Sequence, residues 1–195
     1  MPEPAPIPRD DPSPLRRRGL RERVTAEIVV AAASVLASSE GQASMNDVAT
    51  AAGVARGTLY RYFPTRRSLL ERLHSNAVED MESRLRASRI GEVAPLEGVE
   101  RVIRAFVDGG DLFVVGARER RTTAGPDFEA SVMLPLRELI ERGQETGAIR
   151  RDIEASWLSE CLLGLALVGA SAGSLGTEDT VAWIKRLFLD GARVQ

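Results

Sequence analysis

Residues 44–63 read SMNDVATAAGVARGTLYRYF. Ser44 has Asp47 three positions on, so its hydroxyl can accept from the Asp47 N–H while the carboxylate reaches back, a capping box with Asp in the place of Glu. The helix it opens is expected to bury Val48, Ala49 and Ala52 and to stop at Gly53, where a residue without Cβ takes a positive φ at no steric cost. A second helix is predicted from about Ala55 to Tyr62. Phe63-Pro64 closes it, because the residue before a proline avoids the α region. On that helix Leu59 and Phe63 lie four apart and can share a core face, which leaves Thr58, Tyr60, Arg61 and Tyr62 outside. Two helices of this length joined through one glycine bury little by themselves and need a platform. The pattern therefore predicts a helix-turn-helix with the second helix as its reading element. Hydroxyls and guanidinium groups are the side chains that bond phosphate oxygens and base edges. Gly57 keeps the backbone low, so the positive N-terminus of that helix can come close to a polyanion.

Working outward, the platform is a helix over about Gly19–Ser39, with Val24, Ile28, Ala31, Val35 and Leu36 on one face and Gly41 as its stop. On the other side Thr65 is an N-cap for a long helix through Leu69, Leu70, Leu73, Ala77 and Met81. Further amphipathic segments are predicted at about 96–118, 127–146, 152–173 and 178–193, after a break at 88–95. Gly125-Pro126 and Gly147 separate them, and Pro135 kinks the second. Six of the ten prolines fall in residues 1–14, which reads as a disordered tail ending in Arg16-Arg17-Arg18. No long alternating β pattern occurs, so the fold class is all-α. The division is 1–18 tail, 19–66 helix-turn-helix domain, and 67–195 effector-binding and dimerisation domain.

Bulk properties narrow the function. The net charge of −2 hides an asymmetry: residues 15–74 hold ten arginines against five acids, a net +5, and residues 75–195 hold 15 Lys or Arg against 20 acids, a net −5. A basic front on an acidic back suits a molecule with one end on a polyanion. Cys161 is the one cysteine, so no intrachain disulfide can form and a reducing compartment is expected. The N-terminus lacks an apolar leader and no segment approaches the roughly 20 apolar residues of a membrane span, which predicts a cytoplasmic protein without a membrane partner. No catalytic constellation, metal-ligand spacing or phosphate-binding glycine loop stands out, and no cofactor is expected. His74 is read as a helix-face residue near the domain junction.

The stretch SMNDVATAAGVARGTLYRYFPTRRSLLERL resembles the DNA-binding signature of the tetracycline-repressor (TetR) family of transcriptional regulators. The resemblance spans about residues 20–75; the remainder is similar only in helix content and length. By match, it implies phosphate contacts at Ser44, Thr58, Tyr60 and Tyr62, base-edge contacts at Arg56, Gly57 and Arg61, and a phosphate contact at Arg66 in place of the usual lysine. Ala55 departs from the pattern, since a serine or threonine cap is usual there, and Arg67 replaces a usual acid. Arg16–Arg18 stand either as a minor-groove arm or as a solvated tail.

In the C-terminal half, SWLSECLLGLALVGASAG (156–173) is apolar almost all round, and such a helix is covered on both sides. In a small protein the second cover is a partner subunit. Leu158, Leu162, Leu165, Ala166 and Ala170, with Trp183 and Leu187 from the last helix, are the expected homodimer interface. The resemblance implies the same arrangement. Phe106, Phe113, Phe128, Met133 and Trp157 are candidate lining residues for an effector pocket. The run Arg118, Arg120, Arg121 either meets an anionic ligand or is solvated. The sequence reading is thus a homodimeric transcriptional regulator, a repressor that binds a palindromic operator in double-stranded DNA and is released by an unknown small-molecule effector. The alternative is a helical small-molecule-binding protein with a vestigial helix-turn-helix.

Overall fold

Seven residues of regular helix are too few to persist alone, and the fold answers by packing two such helices onto longer ones. The computed structural model describes residues 14–123, 126–172 and 176–192, leaving aside the side chains at 14–17 and 119–126. Within them run α1 (Pro14–Ser38), α2 (Met45–Ala51), α3 (Arg56–Tyr62), α4 (Arg66–Ala87), α5 (Pro95–Asp108), α6 (Gly110–Thr123), α7 (Pro126–Phe128), a π-helical turn (Glu129–Met133), α8 (Leu134–Glu145), α9 (Ala155–Ser171) and α10 (Thr177–Ala192). The chain is all-α, as expected.

Two cores form. In the head, Ile28, Ala32 and Leu36 of α1 meet Val48 of α2, Leu59 of α3, and Leu69 and Leu73 of α4. The larger core gathers Val102, Ile103 and Phe106 of α5, Phe113 of α6, Leu136 and Leu139 of α8, Leu162 and Ala166 of α9, and Ile184 and Phe188 of α10. Helix α6 belongs to both, because Val115 lies in the head core while Phe113, Val114 and Ala117 lie in the other. Helix α6 crosses α4 closely: a Cβ added at Gly116 would overlap the Ala77 methyl. Arg118 extends the link by donating to the Ala37 carbonyl at the end of α1 and to Ser171 Oγ at the end of α9, each at 3.3 Å.

Three expectations change. Helix α1 already runs at Pro14, the first described residue, and not only from Gly19; a proline is compatible with a first helical turn, where its missing N–H is not needed. Residues 14–18 are therefore helix and not tail; residues 1–13 lie outside the described residues. The single helix predicted over 96–118 is two, broken where Gly110 takes φ +55°. That break folds α6 back so that Phe113 stacks on Phe106, with ring centroids 5.1 Å apart and planes 6° off parallel. Pro135 does not produce a simple kink. A π-helical turn precedes it, in which the Leu134 N–H donates to the Glu129 carbonyl five residues back, widening the ladder where a proline cannot donate. Gly147 ends the α8 segment with φ +74°, as expected, while Gly125 lies outside the described residues.

Candidate nucleic-acid interface

The capping box forms as the sequence predicts. Asp47 N–H donates to Ser44 Oγ at 3.3 Å, and Ser44 N–H and Oγ each donate to Asp47 Oδ2 at 2.8 Å. Those bonds, the backbone N–H first and the hydroxyl second, hold the Asp47 carboxyl below its ordinary range. Ala52 is only half-buried, and Met45 takes the buried place beside Val48 and Ala49. Gly53 turns the chain with φ +64°. Helix α3 then starts without a side-chain cap at Ala55, so its first N–H groups remain open toward solvent. Thr65 caps α4 in a reciprocal arrangement with Ser68.

Leu59 and Phe63 are buried and Arg61 is exposed, as the spacing required, and Arg56 and Gly57 are exposed beside it; of the other residues expected outside, none is fully exposed. Thr58, Tyr60 and Tyr62 are half-buried, and both tyrosine rings pack on the head core. Each ring also carries cations. The Arg56 guanidinium lies 5.4 Å from the Tyr60 ring centroid, while Arg61 and Arg21 lie 5.6 and 5.8 Å from that of Tyr62. Such contacts hold a guanidinium over a ring face with its N–H edge free to donate. Arg21, in the second turn of the described part of α1, escaped the sequence reading. The signal for it was only the arginine excess of the front end.

Arg66 behaves differently from the expectation that placed it on a phosphate. Its guanidinium turns inward, donating to the Ala43 carbonyl and, at 2.6 Å, to the Gly41 carbonyl. It ties the α1–α2 turn to the start of α4, next to Ser44. Arg67 is solvent-facing and paired with Glu71 at 2.8 Å.

The C-terminal candidates divide. Phe106, Phe113, Phe128 and Met133 are all buried in the larger core, and Trp157 does not join them: it is 67% exposed on α9. It lines an open groove of about 360 Å³ between α6 and α9, with Ala117, Arg118, Cys161 and Leu167. Among the interface candidates, Leu158, Leu162 and Ala166 are buried in the chain's own core, Leu165 and Ala170 are half-buried, and Trp183 and Leu187 are 53% and 60% exposed. Val168, which the interface reading passed over, is 68% exposed on the same side as Trp157. His74 is buried at the junction, stacked on Phe128 with centroids 6.2 Å apart; neither ring nitrogen finds a hydrogen-bond partner among the described residues. The side chains of Arg120 and Arg121 lie outside the described residues, and Arg118 is engaged between α1 and α9. No group of acidic, histidine or cysteine side chains among the described residues could hold a metal ion. Among the described residues no helix is long and apolar enough to cross a membrane.

A short capped helix, a glycine turn and an arginine- and hydroxyl-bearing second helix, packed in one core with α1 and α4, define a helix-turn-helix protein. Comparison with known proteins agrees. The family described as bacterial regulatory proteins, tetR family, matches residues 24–73. The transcriptional regulator NfxB of Pseudomonas aeruginosa is 26% identical over 178 residues, covering 85% of this chain and 93% of that protein. The transcriptional repressor LfrR of Mycolicibacterium smegmatis is 28% identical over 169 residues, 84% of this chain and 86% of that protein. The LfrR structure in complex with proflavine superposes with a TM-score of 0.71 at 24% identity, over 91% of this chain and 100% of that one. A structure of AibR with isovaleryl coenzyme A and operator DNA gives a TM-score of 0.66 at 19% identity, over 84% of this chain and 97% of that one. The chain thus carries a tetR-family DNA-binding domain over residues 24–73 and is similar over most of its length to transcriptional regulators.

Proposed function

We propose that the protein is a cytoplasmic transcriptional repressor that binds a palindromic operator in double-stranded DNA as a homodimer and leaves it when a small molecule occupies the C-terminal domain. The observation that carries this reading is the head. A capped α2, the Gly53 turn and an α3 that presents Arg56, Gly57 and Arg61 to solvent match the family over residues 24–73. Pairing of two chains is supported by the α9–α10 surface, where Trp157, Val168, Trp183 and Leu187 stay more than half exposed. Large apolar side chains left this exposed favour a protein partner. Covering them with a second copy sets two heads on one two-fold axis, as adjacent half-sites require.

Effector control is supported by the relatives named with bound proflavine and isovaleryl coenzyme A. The junction gives a physical route. Helix α6 contributes to both cores and crosses α4 closely at Gly116, so repacking of the larger core would reach the head. Release further requires that the effector bind the DNA-incompetent arrangement more tightly than the competent one.

The test is binding of the full chain to random duplex DNA, followed by selection and sequencing of the retained sites. A palindromic consensus and an affinity that falls steeply with salt are expected. Binding that ignores salt, or no binding, would end the repressor reading and leave a helical small-molecule-binding protein.

A further inference from the structure

The four residues Leu20, Arg21, Arg61 and Tyr62 line an open cleft of about 280 Å³ between α1 and the C-terminal end of α3. Two guanidinium groups share the Tyr62 ring there, at 5.6 and 5.8 Å from its centroid. Neither has a carboxylate partner among the described residues. Glu22, beside Arg21, is taken by Arg18 at 3.0 Å. Leu20 at the rim is 56% exposed, an apolar side chain in a strongly basic neighbourhood. Two like charges on one aromatic ring repel, and the nearest general remedy is an anion between them. The helix dipole does not supply that anion site. At its C-terminal end α3 presents carbonyls, which favour Arg61 and oppose a bare anion, so the arginines themselves must provide the attraction.

We propose that this cleft is the seat of a DNA backbone phosphate flanking each half-site, gripped jointly by Arg21 and Arg61 with Tyr62 as their shared platform. This deepens the reading of the head as a DNA-binding element and rests on it. It also divides the work along α3. Arg61 lies in the last turn of the helix, against α1, and serves the backbone; base reading falls to Arg56 and Gly57 at the open N-terminal end, the end by which recognition helices usually meet base edges. Arg21 makes α1 part of the interface. A phosphate fits because its oxygens accept several charge-assisted hydrogen bonds at once, and two planar forks of donors can meet them from different directions.

The experiment uses the full chain and its selected operator, titrated over a salt series. Arg21→Gln keeps a good helix former in an exposed place and removes the charge. It should weaken binding to all sequences alike and lower the log–log salt slope by about one, while Arg21→Lys keeps most of the slope. Arg61→Ala should do the same with an unchanged selected motif, whereas Arg56→Ala should relax that motif. Neutralising single phosphates as methylphosphonates should reveal one outer position per half-site that matters to the wild type and not to Arg21→Gln. An unchanged slope and affinity in Arg21→Gln would overturn the cleft. A motif that changes in Arg61→Ala would return Arg61 to base reading and overturn the division of work. A wild-type chain with no salt-dependent duplex binding would instead remove the DNA-binding reading itself, and the cleft with it.

Discussion

The head and the α9–α10 face leave opposite chemistry uncovered. Around α3 the exposed groups are Arg56 and Arg61, held over tyrosines, Gly57, and the first N–H groups of an uncapped helix. On α9 and α10 they are Trp157, Val168, Trp183 and Leu187. Water solvates the first set well, so exposing it costs little and its purpose is electrostatic. The second set is expensive to leave in water and suits burial against another surface, as the proposed pairing requires. The two ends of one small chain therefore suit two different partners, a polyanion and a protein.

The comparison can be broken most sharply at the back. Val168→Asp adds a charge to a residue that is 68% exposed, so helix content and monomer folding should persist. If that face pairs two chains, sedimentation should show monomers. Operator affinity should fall by roughly a hundredfold or more, because the linkage between two heads is lost. A dimer that survives this change would place the interface elsewhere, and a monomer that keeps full operator affinity would separate pairing from DNA binding.

At the front, Arg66 separates structure from contact. Its bonds to the Gly41 and Ala43 carbonyls make it a brace for the turn that presents Ser44. Arg66→Ala should cost about 1–3 kcal/mol of stability, seen as a lower melting temperature and faster hydrogen exchange around residues 39–47. Arg66→Lys should not restore it, since an ammonium cannot fork onto two carbonyls in one plane. A variant with unchanged stability and a salt slope lower by about one would instead make Arg66 a phosphate ligand.

The smallest effect compares the regions by acidity. Asp47 is held below its ordinary range by Ser44, and Glu178 by the Arg104 guanidinium, which it grips at 2.6 and 2.9 Å between α10 and α5. In both cases the folded pKa lies under the unfolded one. The stabilisation is thus fully present above the unfolded value of about 4 and is lost as pH falls through the folded value. Both groups are solvent-exposed, so the change is slight. Hydrogen exchange on acidification should rise at the start of α2 in the wild type but not further in Asp47→Asn, and Glu178→Gln should flatten only the α10 response. Identical profiles in wild type and Asp47→Asn would mean that the box contributes nothing to that acid sensitivity.

The sequence by itself determined much of the head: both capping residues, the Gly53 turn, the Phe63-Pro64 stop and the outward place of Arg61, though not the half-burial of Thr58, Tyr60 and Tyr62. These signals act between residues at most four apart, through backbone hydrogen bonds and helical spacing, so they are legible without any tertiary contact. The all-α class and most helix boundaries follow for the same reason. Only the tertiary structure decided which side of α9 is inside. That helix is apolar almost all round, so nothing local told Leu158, Leu162 and Ala166, which its own chain covers, from Trp157 and Val168, which it does not. Only the fold turned Arg66 onto carbonyls 23 and 25 residues away, split the 96–118 segment so that Phe113 could return to Phe106, and set Arg21 beside Arg61 on Tyr62. Each of these depends on how helices cross, and crossing is fixed by side chains meeting from distant parts of the chain.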